Sequence, residues 1–259
     1  MPFEFDGEKY KKASAHQKEW GQKIISEFSF NGDEHILDLG SGDGILTAFL
    51  ADFVPQGYVL GIDSSQGMID TANKQEQHNL QFKLSDIDEI NFESEFDLIF
   101  SNATLHWIKN HAGLLNNVFK ALKRGGKVCF NFAADGNCIN FFRVVRGVMG
   151  QEEYVSFFEG FTWPWYMPAI EEYQKLVNQI PFKEARVWSE NADRYFPDRE
   201  AMTAWIDQPS IVPFLKYLDD DNHKKHFRDT VVHQMISETL QDDGTCFETF
   251  RRVNLFAVK

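Results

Sequence analysis

The chain has 259 residues, of which 43% are hydrophobic, and a chain of this size can bury a full core. Its 26 lysines and arginines against 39 aspartates and glutamates give a formal net charge of -13. The sequence shows no cluster of basic residues that would neutralise phosphates, so we expect no nucleic-acid partner. The three cysteines lack metal-ligand spacing, and no apolar run is long enough to cross a bilayer or form a signal segment, which favours a cytoplasmic protein without metal or membrane.

A helix is expected in the first thirty residues, before any strand. Ser14 and Gln17 have the spacing of a capping box, in which side chains satisfy backbone N–H groups of the first turn. The apolar residues behind them recur at helical spacing, and the simplest interpretation of this stripe is core packing. The stripe comprises Trp20, Ile24, Ile25 and Phe28.

The stretch that begins at His35 predicts a strand, a tight glycine turn and a helix. Residues 36–39 are typical of a buried strand, and Gly40, Gly42 and Gly44 follow in alternation. Glycine tolerates positive φ and has no side chain in the way, so backbone N–H groups at the helix start can approach a ligand closely. The helix then places its apolar residues on one face, at Leu46, Phe49, Leu50 and Phe53.

The spacing of the glycines and the acid before them decides between ligands. A dinucleotide fingerprint reads G-x-G-x-x-G and would require glycine at position 45, where the chain has Ile45. Asp38 stands at the carboxyl end of the predicted strand, where open α/β sheets bind ligands, and its charge would repel a pyrophosphate. We therefore expect a ligand that carries positive charge and no phosphate at this point, and not NAD.

A second predicted strand, residues 58–63, ends in Asp63. It follows the glycine turn by roughly twenty residues, the distance at which an acid meets ribose hydroxyls in Rossmann-like folds. Asp63 is therefore a candidate for holding a ribose, and the alternative is a helix cap, because a helical pattern opens directly after it. Met68 in that helix is close enough to touch an adenine edge, and its alternative is ordinary core packing.

Strand and helix continue to alternate in the next part of the chain. Further strands are predicted at residues 80–84, 96–100 and 128–132, with a helix over residues 114–122 before the last of them. This alternation predicts an α/β fold in which helices cover both faces of a parallel sheet.

The pattern breaks between residues 134 and 167. Aromatic residues crowd this stretch around Gly160 and Pro164, and an insertion here would pass over the ligand crevice as a lid. The alternative is a separate hydrophobic cluster. The expected elements that follow are a helix at 170–177, a strand at 185–188, helices over 198–240 and a last strand at 247–258.

These residues carry a family resemblance. The segment Asp38-Leu39-Gly40-Ser41-Gly42-Asp43-Gly44 resembles motif I of the class I S-adenosylmethionine-dependent methyltransferases, whose cofactor has a sulfonium and an ammonium group. The resemblance implies a Rossmann-like sheet of seven mostly parallel strands, with the final strand antiparallel. It also implies one methyltransferase domain over residues 1–259, with a cap helix at 1–30, a cofactor-binding half at 31–133, a lid at 134–167 and the remaining half at 168–259.

The same resemblance implies S-adenosyl-L-methionine as the cofactor and assigns its contacts. Asp86 and Ile87 match the family's adenine contact, in which an acid lies near the exocyclic amine and an apolar residue lies against the ring. The complete set of predicted cofactor-binding residues is Gln17, Asp38, Gly40, Ser41, Gly42, Asp63, Ser64, Met68, Asp86, Ile87 and Asn102.

Two narrower resemblances concern the acceptor. Residues 61–69 and 97–107 resemble the trans-aconitate methyltransferases, whose arginine near the carboxyl end of the chain matches Arg252 and implies an anchor for a carboxylate. Residues 10–18 resemble the insect juvenile hormone acid methyltransferases, and this likeness assigns Tyr10 to the substrate and Gln17 to the methyl donor and substrate carboxylate. The alternative for both is simple packing or capping.

Other cationic and aromatic side chains complete the predicted substrate site. Arg143 and Arg146, from the predicted lid, are further candidates for contacting an acid, and solvated surface arginines are the alternative. Trp107 and His106 follow the fourth strand and are expected to line the acceptor. The trans-aconitate family commonly has glutamine at the position of His106.

The expected function is O-methylation of the carboxylate of a small-molecule acid, either trans-aconitate-like or apolar. A carboxylate is already ionised at neutral pH and needs no base. In the alternative, an N- or hydroxyl-directed small-molecule methyltransferase, His106 removes the proton, so His106 and Gln17 are the catalytic candidates. A different class is a protein that binds S-adenosyl-L-methionine without turning it over.

Overall fold

The computed structural model describes residues 15–75 and 77–259. These residues divide into two compact units. The first contains the described residues up to Asp135 together with Trp165–Glu190 and Arg252–Lys259, and the second contains Gly136–Pro164 and Asn191–Arg251. Of the predicted lid, residues 134–135 and 165–167 thus belong to the first unit and residues 136–164 to the second.

Nine strands are formed by the residues that the structure describes. Two of them, β7 and β8, pair antiparallel in the second unit, and the other seven form one sheet. The strands are β1 (His35–Leu39), β2 (Tyr58–Asp63), β3 (Leu80–Leu84), β4 (Phe96–Asn102), β5 (Leu122–Ala133), β6 (Glu184–Asn191), β7 (Arg194–Phe196), β8 (Cys246–Glu248) and β9 (Arg251–Val258).

The large sheet has the order β3-β2-β1-β4-β5-β9-β6. The first five strands in this order pair in parallel, and β9 runs antiparallel to β5. The predicted α/β class with a seven-stranded, mostly parallel sheet is therefore confirmed. The strand order reverses between β1 and β4, and open α/β sheets bind ligands at such a point, outside the carboxyl ends of the strands. Because β9 is antiparallel, its first residues lie at this same edge, where Arg252 pairs with Ala133.

Helices follow most of the strands. The helices in the described chain are α1 (Ala15–Ser26), α2 (Ile45–Phe53), α3 (Gln66–Ala72), α4 (His111–Ala121), α5 (Ile139–Met149), α6 (Ile170–Val177), α7 (Arg199–Trp205), α8 (Val212–Leu215) and α9 (Asp221–Thr239). Short 3-10 turns occur at Ile87–Glu89, Leu105–Trp107 and Val155–Phe158. Among these described helices, not one has the length and apolar character needed to cross a membrane.

The core of the first unit lies on both faces of its sheet, and β1 shows why. Leu37 and Leu39 belong to one buried cluster, whereas Ile36 belongs to another. Successive side chains of a strand point to opposite faces, so a strand that is covered on both faces must be apolar throughout. The second cluster is completed by α2 and the neighbouring strands, with Leu50, Ala51, Val54, Val59, Leu98 and Phe100.

The second unit packs helices around an aromatic core. Phe141 of α5 lies 5.7 Å from the ring of Trp205 and 6.1 Å from that of Phe214, measured between ring centroids. Tyr154 and Phe227 pack edge to face at 5.1 Å. Several aromatic residues of the predicted lid therefore form the core of this unit.

The prediction of a single strand over residues 247–258 is wrong, because the structure has two strands there. β8 ends at Glu248 and β9 begins at Arg251. The buried Glu248 carboxylate accepts hydrogen bonds from the backbone N–H groups of Asn140 at 3.2 Å and Phe141 at 2.8 Å. It thereby satisfies donors in the first turn of α5, and the chain leaves the strand at this point.

Candidate functional site

The three glycines in the turn between β1 and α2 differ in the space around them. Gly40, Gly42 and Gly44 have positive φ angles of 78°, 54° and 78°, which L side chains rarely adopt. A Cβ atom at Gly40 would collide with Thr104, and one at Gly44 would lie 2.6 Å from the ring of Phe82. At Gly42 nothing lies within 4 Å of the added atom. Gly40 and Gly44 are thus required by packing, whereas Gly42 leaves open space where a ligand can approach.

Asp38, at the end of β1, is almost fully buried, with 3% exposure. Its Oδ2 accepts a hydrogen bond of 2.7 Å from the Thr47 hydroxyl of α2. Burial raises the pKa of Asp38 to about 7, although the Thr47 hydrogen bond opposes the rise and the charge of Asp63 adds to it. The carboxyl group is therefore close to half ionised at neutral pH, and a bound cation would favour its charged form.

Asp63, at the end of β2, connects the glycine turn to the start of α3. Its Oδ2 accepts from the Gly42 N–H at 3.0 Å, and its Oδ1 accepts from the Ser65 N–H at 2.9 Å. Ser65 itself caps α3, because its hydroxyl accepts from the Met68 N–H. A carboxylate oxygen accepts more than one hydrogen bond, so Asp63 can hold the turn and also accept from ribose hydroxyls.

The other predicted cofactor-binding residues lie in the same unit. Asp86 follows β3 and caps the short turn after it, and Asn102 ends β4. Ile87 and Met68 are buried. The Ser41 hydroxyl is also buried and has no hydrogen-bond partner in the described part of the chain. A buried hydroxyl of this kind is costly unless a ligand satisfies it, which is consistent with a ligand at the turn.

His106 lies in the 3-10 turn that follows β4. Its side chain is half-buried, and its Nδ1 atom is buried without a hydrogen-bond partner among the described residues. Burial is the main cause that lowers the pKa of His106 to about 3, and repulsion from Arg252 and from the protonated form of His111 contributes to the shift. His106 is therefore a neutral imidazole at physiological pH and a very weak base.

His111, at the start of α4, holds the turn that carries His106, and sequence reasoning missed this role. Its Nε2 lies 2.9 Å from the Leu105 carbonyl and must donate, so its Nδ1 accepts from the Tyr173 hydroxyl at 3.2 Å. Burial lowers the pKa of His111 to about 4, which keeps it neutral. The Tyr166 N–H also donates to the His106 carbonyl at 2.8 Å, so the turn is held from two sides.

Arg252, at the start of β9, has 3% exposure, and Asn131 and Trp20 are among the residues it contacts. Its Nε and Nη2 donate to Asn131 Oδ1 at 2.8 and 2.6 Å. Its guanidinium carbon lies 4.6 Å from the ring centroid of Trp20, a residue that the sequence assigned to core packing. Sequence reasoning also missed Asn131, although a polar residue inside an otherwise apolar strand was a visible signal.

The remaining predicted substrate residues separate into the two units. The Trp107 ring lies 5.3 Å from that of Trp165 and 5.6 Å from that of His106, all within the first unit. Arg143 belongs to the second unit, where its exposed guanidinium pairs with Glu238 at 2.5 Å. Arg146 of the same helix lies over the ring of a tryptophan, Trp163.

Two predicted residues precede the sheet. Tyr10 lies outside the described residues, and so does the side chain of Gln17, although its backbone belongs to α1. Lys18, the next residue, forms an ion pair of 2.8 Å with Asp43, and both side chains are largely buried. This pair connects α1 to the glycine turn.

Comparisons with known proteins agree with this geometry. Residues 37–130 match the family described as a methyltransferase domain. The chain is 31% identical over 192 residues to the trans-aconitate 2-methyltransferase of Deinococcus radiodurans, covering 71% of this chain and 72% of that protein. It is 27% identical over 249 residues to the juvenile hormone acid O-methyltransferase of Drosophila melanogaster, covering 90% of this chain and 83% of that protein.

A solved structure extends the comparison to the fold. The phosphoethanolamine N-methyltransferase 2 of Haemonchus contortus, in complex with S-adenosyl-L-methionine, gives a TM-score of 0.62 with 19% sequence identity. The match covers 98% of this chain and 56% of that one. At this identity the likeness concerns the fold alone.

Proposed function

The chain belongs to the class I S-adenosylmethionine-dependent methyltransferases, and we propose that it O-methylates the carboxylate of a small-molecule acid. When bound, S-adenosyl-L-methionine supplies an electrophilic methyl group on a positively charged sulfur. The task of the protein is to hold the acceptor oxygen in line with this methyl group and to exclude water.

The carboxyl ends of the parallel strands offer groups that suit this cofactor. Asp38 would meet its positively charged part, and Asp63 would accept hydrogen bonds from the ribose hydroxyls. The open space at Gly42 leaves room for the cofactor. The buried Ser41 hydroxyl offers it a polar contact. We propose further cofactor contacts for Gln17, Gly40, Ser64, Met68, Asp86, Ile87 and Asn102.

The observation that carries the acid acceptor is the buried guanidinium of Arg252. Asn131 and the ring of Trp20 hold the group in place, and neither of these two residues carries a charge. Hydrogen bonds between a guanidinium and a carboxylate are short, strong and directional, and burial strengthens them because water does not screen the charges. Arg252 is therefore our candidate for binding the carboxylate that is methylated.

His106 supports an acid over an acceptor that must lose a proton. Because its pKa is about 3, His106 would remove a proton from a hydroxyl or an amine poorly. A carboxylate arrives already ionised and requires no such step. We therefore assign neutral His106 to contacting the acceptor, beside Trp107.

The aromatic side chains of this unit favour an acid with an apolar body. The ring of Trp20 lies against Arg252, and Trp107 and Trp165 present indole rings in the same unit, whereas Lys18 is paired with Asp43. A tricarboxylate such as trans-aconitate, which one relative takes by its name, would need several cations. A second relative, by its name, acts on juvenile hormone acid. We propose for this chain an acceptor with one carboxylate on an apolar body.

The proposal is tested by offering the enzyme small acids, phenols and amines together with a labelled methyl donor. We expect labelled methyl esters, which hydrolyse in mild alkali, on acids with an apolar body. Alkali-stable product would contradict the proposal in favour of an ether or amine. Binding of S-adenosylhomocysteine without turnover of any acceptor would indicate the non-catalytic class.

A matched variant separates the two roles of His106. Glutamine keeps a polar side chain of similar reach but does not act as a base. We expect His106→Gln to retain turnover of the acid within about tenfold, whereas loss of a general base would cost about a hundredfold or more.

A further inference from the structure

A line of four polar side chains begins at Arg252 and crosses the end of the sheet. Arg252 donates to Asn131, whose Nδ2 donates to Asn254 Oδ1 at 2.6 Å. The Nδ2 of Asn254 in turn lies 3.5 Å from Glu190 Oε2. Asn131 and Asn254 are opposite each other on β5 and β9, and both are at least 97% buried. This line joins residues from three neighbouring strands of the sheet.

The two ends of the line fix the direction of every hydrogen bond between them. A guanidinium only donates and a carboxylate only accepts, whereas an amide has one oxygen that accepts and one nitrogen that donates. The Asn254 amide nitrogen therefore donates to Glu190, and the Asn254 amide oxygen accepts from Asn131. Asn131 is left with its oxygen facing Arg252, where the oxygen accepts from both Nε and Nη2.

The choice of an amide at this position matters for the charge. An aspartate could hold the guanidinium through the same two hydrogen bonds, but it would also neutralise it. Asn131 holds the group without this effect, and the face of Trp20 supports it from one side. The arginine side chain is long and flexible. When hydrogen bonds already fix the orientation of its guanidinium group, less conformational entropy is lost on binding an anion.

We infer that Asn131 is a positioning residue, which fixes Arg252 for the acceptor carboxylate, and that Asn254 orients Asn131. The inference rests on the proposed function, because it gives Arg252 an acid to bind. It adds a requirement for two neutral amides in sequence, behind the residue that contacts the substrate.

The kinetic test uses Asn131→Asp, which keeps the shape and adds a negative charge beside Arg252. We expect the KM for the acid to rise at least tenfold, with the Kd for S-adenosylhomocysteine unchanged within twofold. In an Arg252→Gln background the same substitution should change the KM by less than twofold, because Asn131 acts through Arg252. A full tenfold effect in that background would overturn the inference.

A spectroscopic test needs no acceptor and therefore separates this inference from the proposed function. The Nε–H resonance of Arg252, assigned by its loss in Arg252→Lys, should exchange slowly with water in the intact protein. We expect at least tenfold faster exchange in Asn131→Ala, and a smaller increase in Asn254→Ser, which serves if the alanine variant does not fold. Unchanged exchange in the folded variants would overturn the inference even if acids are methylated.

Asn79 supplies a matched control for the loss of a buried asparagine. It directly precedes β3 and is 5% exposed, and its Nδ2 donates to the carbonyls of Ala51 and Val54 at the end of α2. Asn79→Ala should lower stability without changing the Arg252 resonance or the KM for the acid. If it changed both as strongly as Asn131→Ala, the effects would be general destabilisation and the inference would fail.

Discussion

Two buried residues of opposite charge distinguish the ends of the candidate site. Asp38 and Arg252 are each 3% exposed, and each is held by a neutral hydrogen-bond partner, Thr47 for the acid and Asn131 for the base. A neutral partner fixes the orientation of a charged group and brings no opposite charge of its own. We therefore expect the cationic cofactor to bind at the Asp38 end of the site and the anionic acceptor at the Arg252 end.

We predict that cofactor binding strengthens as the pH rises from about 6 to about 7. The pKa of Asp38 is about 7 in the free protein, and a bound cation favours its charged form. The Kd for S-adenosyl-L-methionine, measured by titration calorimetry, should therefore fall about fivefold over this interval. Asp38→Asn does not ionise, so its Kd should be higher and independent of pH. A slope that persists in this variant would exclude Asp38 as its source.

The same shift predicts the opposite pH dependence for the stability of the free protein. The pKa of Asp38 is raised above the value near 4 of an unfolded carboxyl group. Its contribution to stability is thus fully present below that value and is lost as the pH rises through about 7. Thermal unfolding of the free protein should show this loss, and Asp38→Asn should show less of it.

Gly42 allows a test of where the cofactor lies. Gly42 and Gly125 both have positive φ, of 54° and 80°, and neither has an atom within 4 Å of an added Cβ. Alanine should therefore cost each position a similar backbone strain of about 1 kcal/mol. We predict that Gly42→Ala weakens S-adenosylhomocysteine binding at least tenfold, whereas Gly125→Ala does not. Equal affinities in calorimetry would contradict a cofactor at the glycine turn.

At the scale of elements, the sequence predicts the strands whose bounds depend on residues adjacent in the chain. The strands β1, β2 and β3 begin and end where apolar runs and the acids after them indicate. The contact between Asn131 and Arg252 joins residues 121 positions apart, so no local pattern predicts it. Glu248, after which the predicted strand is interrupted, likewise accepts from a helix residue 107 positions away. Long-range polar contacts inside strands are therefore the part of the site that periodicity does not reveal.

The cap on α5 gives a prediction about this element. Glu248→Ala leaves the part-buried N–H group of Asn140 and the buried N–H group of Phe141 without their acceptor, and loss of the acceptor of one buried donor costs about 1–3 kcal/mol. We expect urea unfolding to show a loss of this size. Glu248→Gln should lose less, because its side chain keeps an accepting oxygen.

An exposed glutamate of the same unit is the control for this prediction. Glu153 lies 3.4 Å from His226 at the surface, and exposed pairs contribute little to stability. Glu153→Ala should therefore change the free energy of unfolding by less than about 0.5 kcal/mol. If Glu248→Ala cost no more than this control, the capping role would be wrong.

At the scale of the whole molecule, the net charge of -13 acts on the two proposed substrates in opposite directions. An acid acceptor is repelled as it approaches, whereas S-adenosyl-L-methionine carries a net positive charge and is attracted. Salt screens these long-range forces, because the Debye length falls from about 30 Å at 0.01 M to about 8 Å at 0.15 M. The guanidinium of Arg252 is 3% exposed, and salt screens buried charges much less than exposed ones.

We therefore predict that salt has opposite effects on the two binding steps. Between about 0.01 and 0.15 M NaCl, the KM for the acid should fall severalfold and the Kd for S-adenosyl-L-methionine should rise. S-adenosylhomocysteine has no net charge, so its Kd serves as the internal control and should remain nearly constant. Steady-state kinetics and calorimetry on one preparation measure all three quantities. If the KM for the acid rose with salt, a local positive surface would dominate over the net charge, and the acid would be guided by cations additional to Arg252.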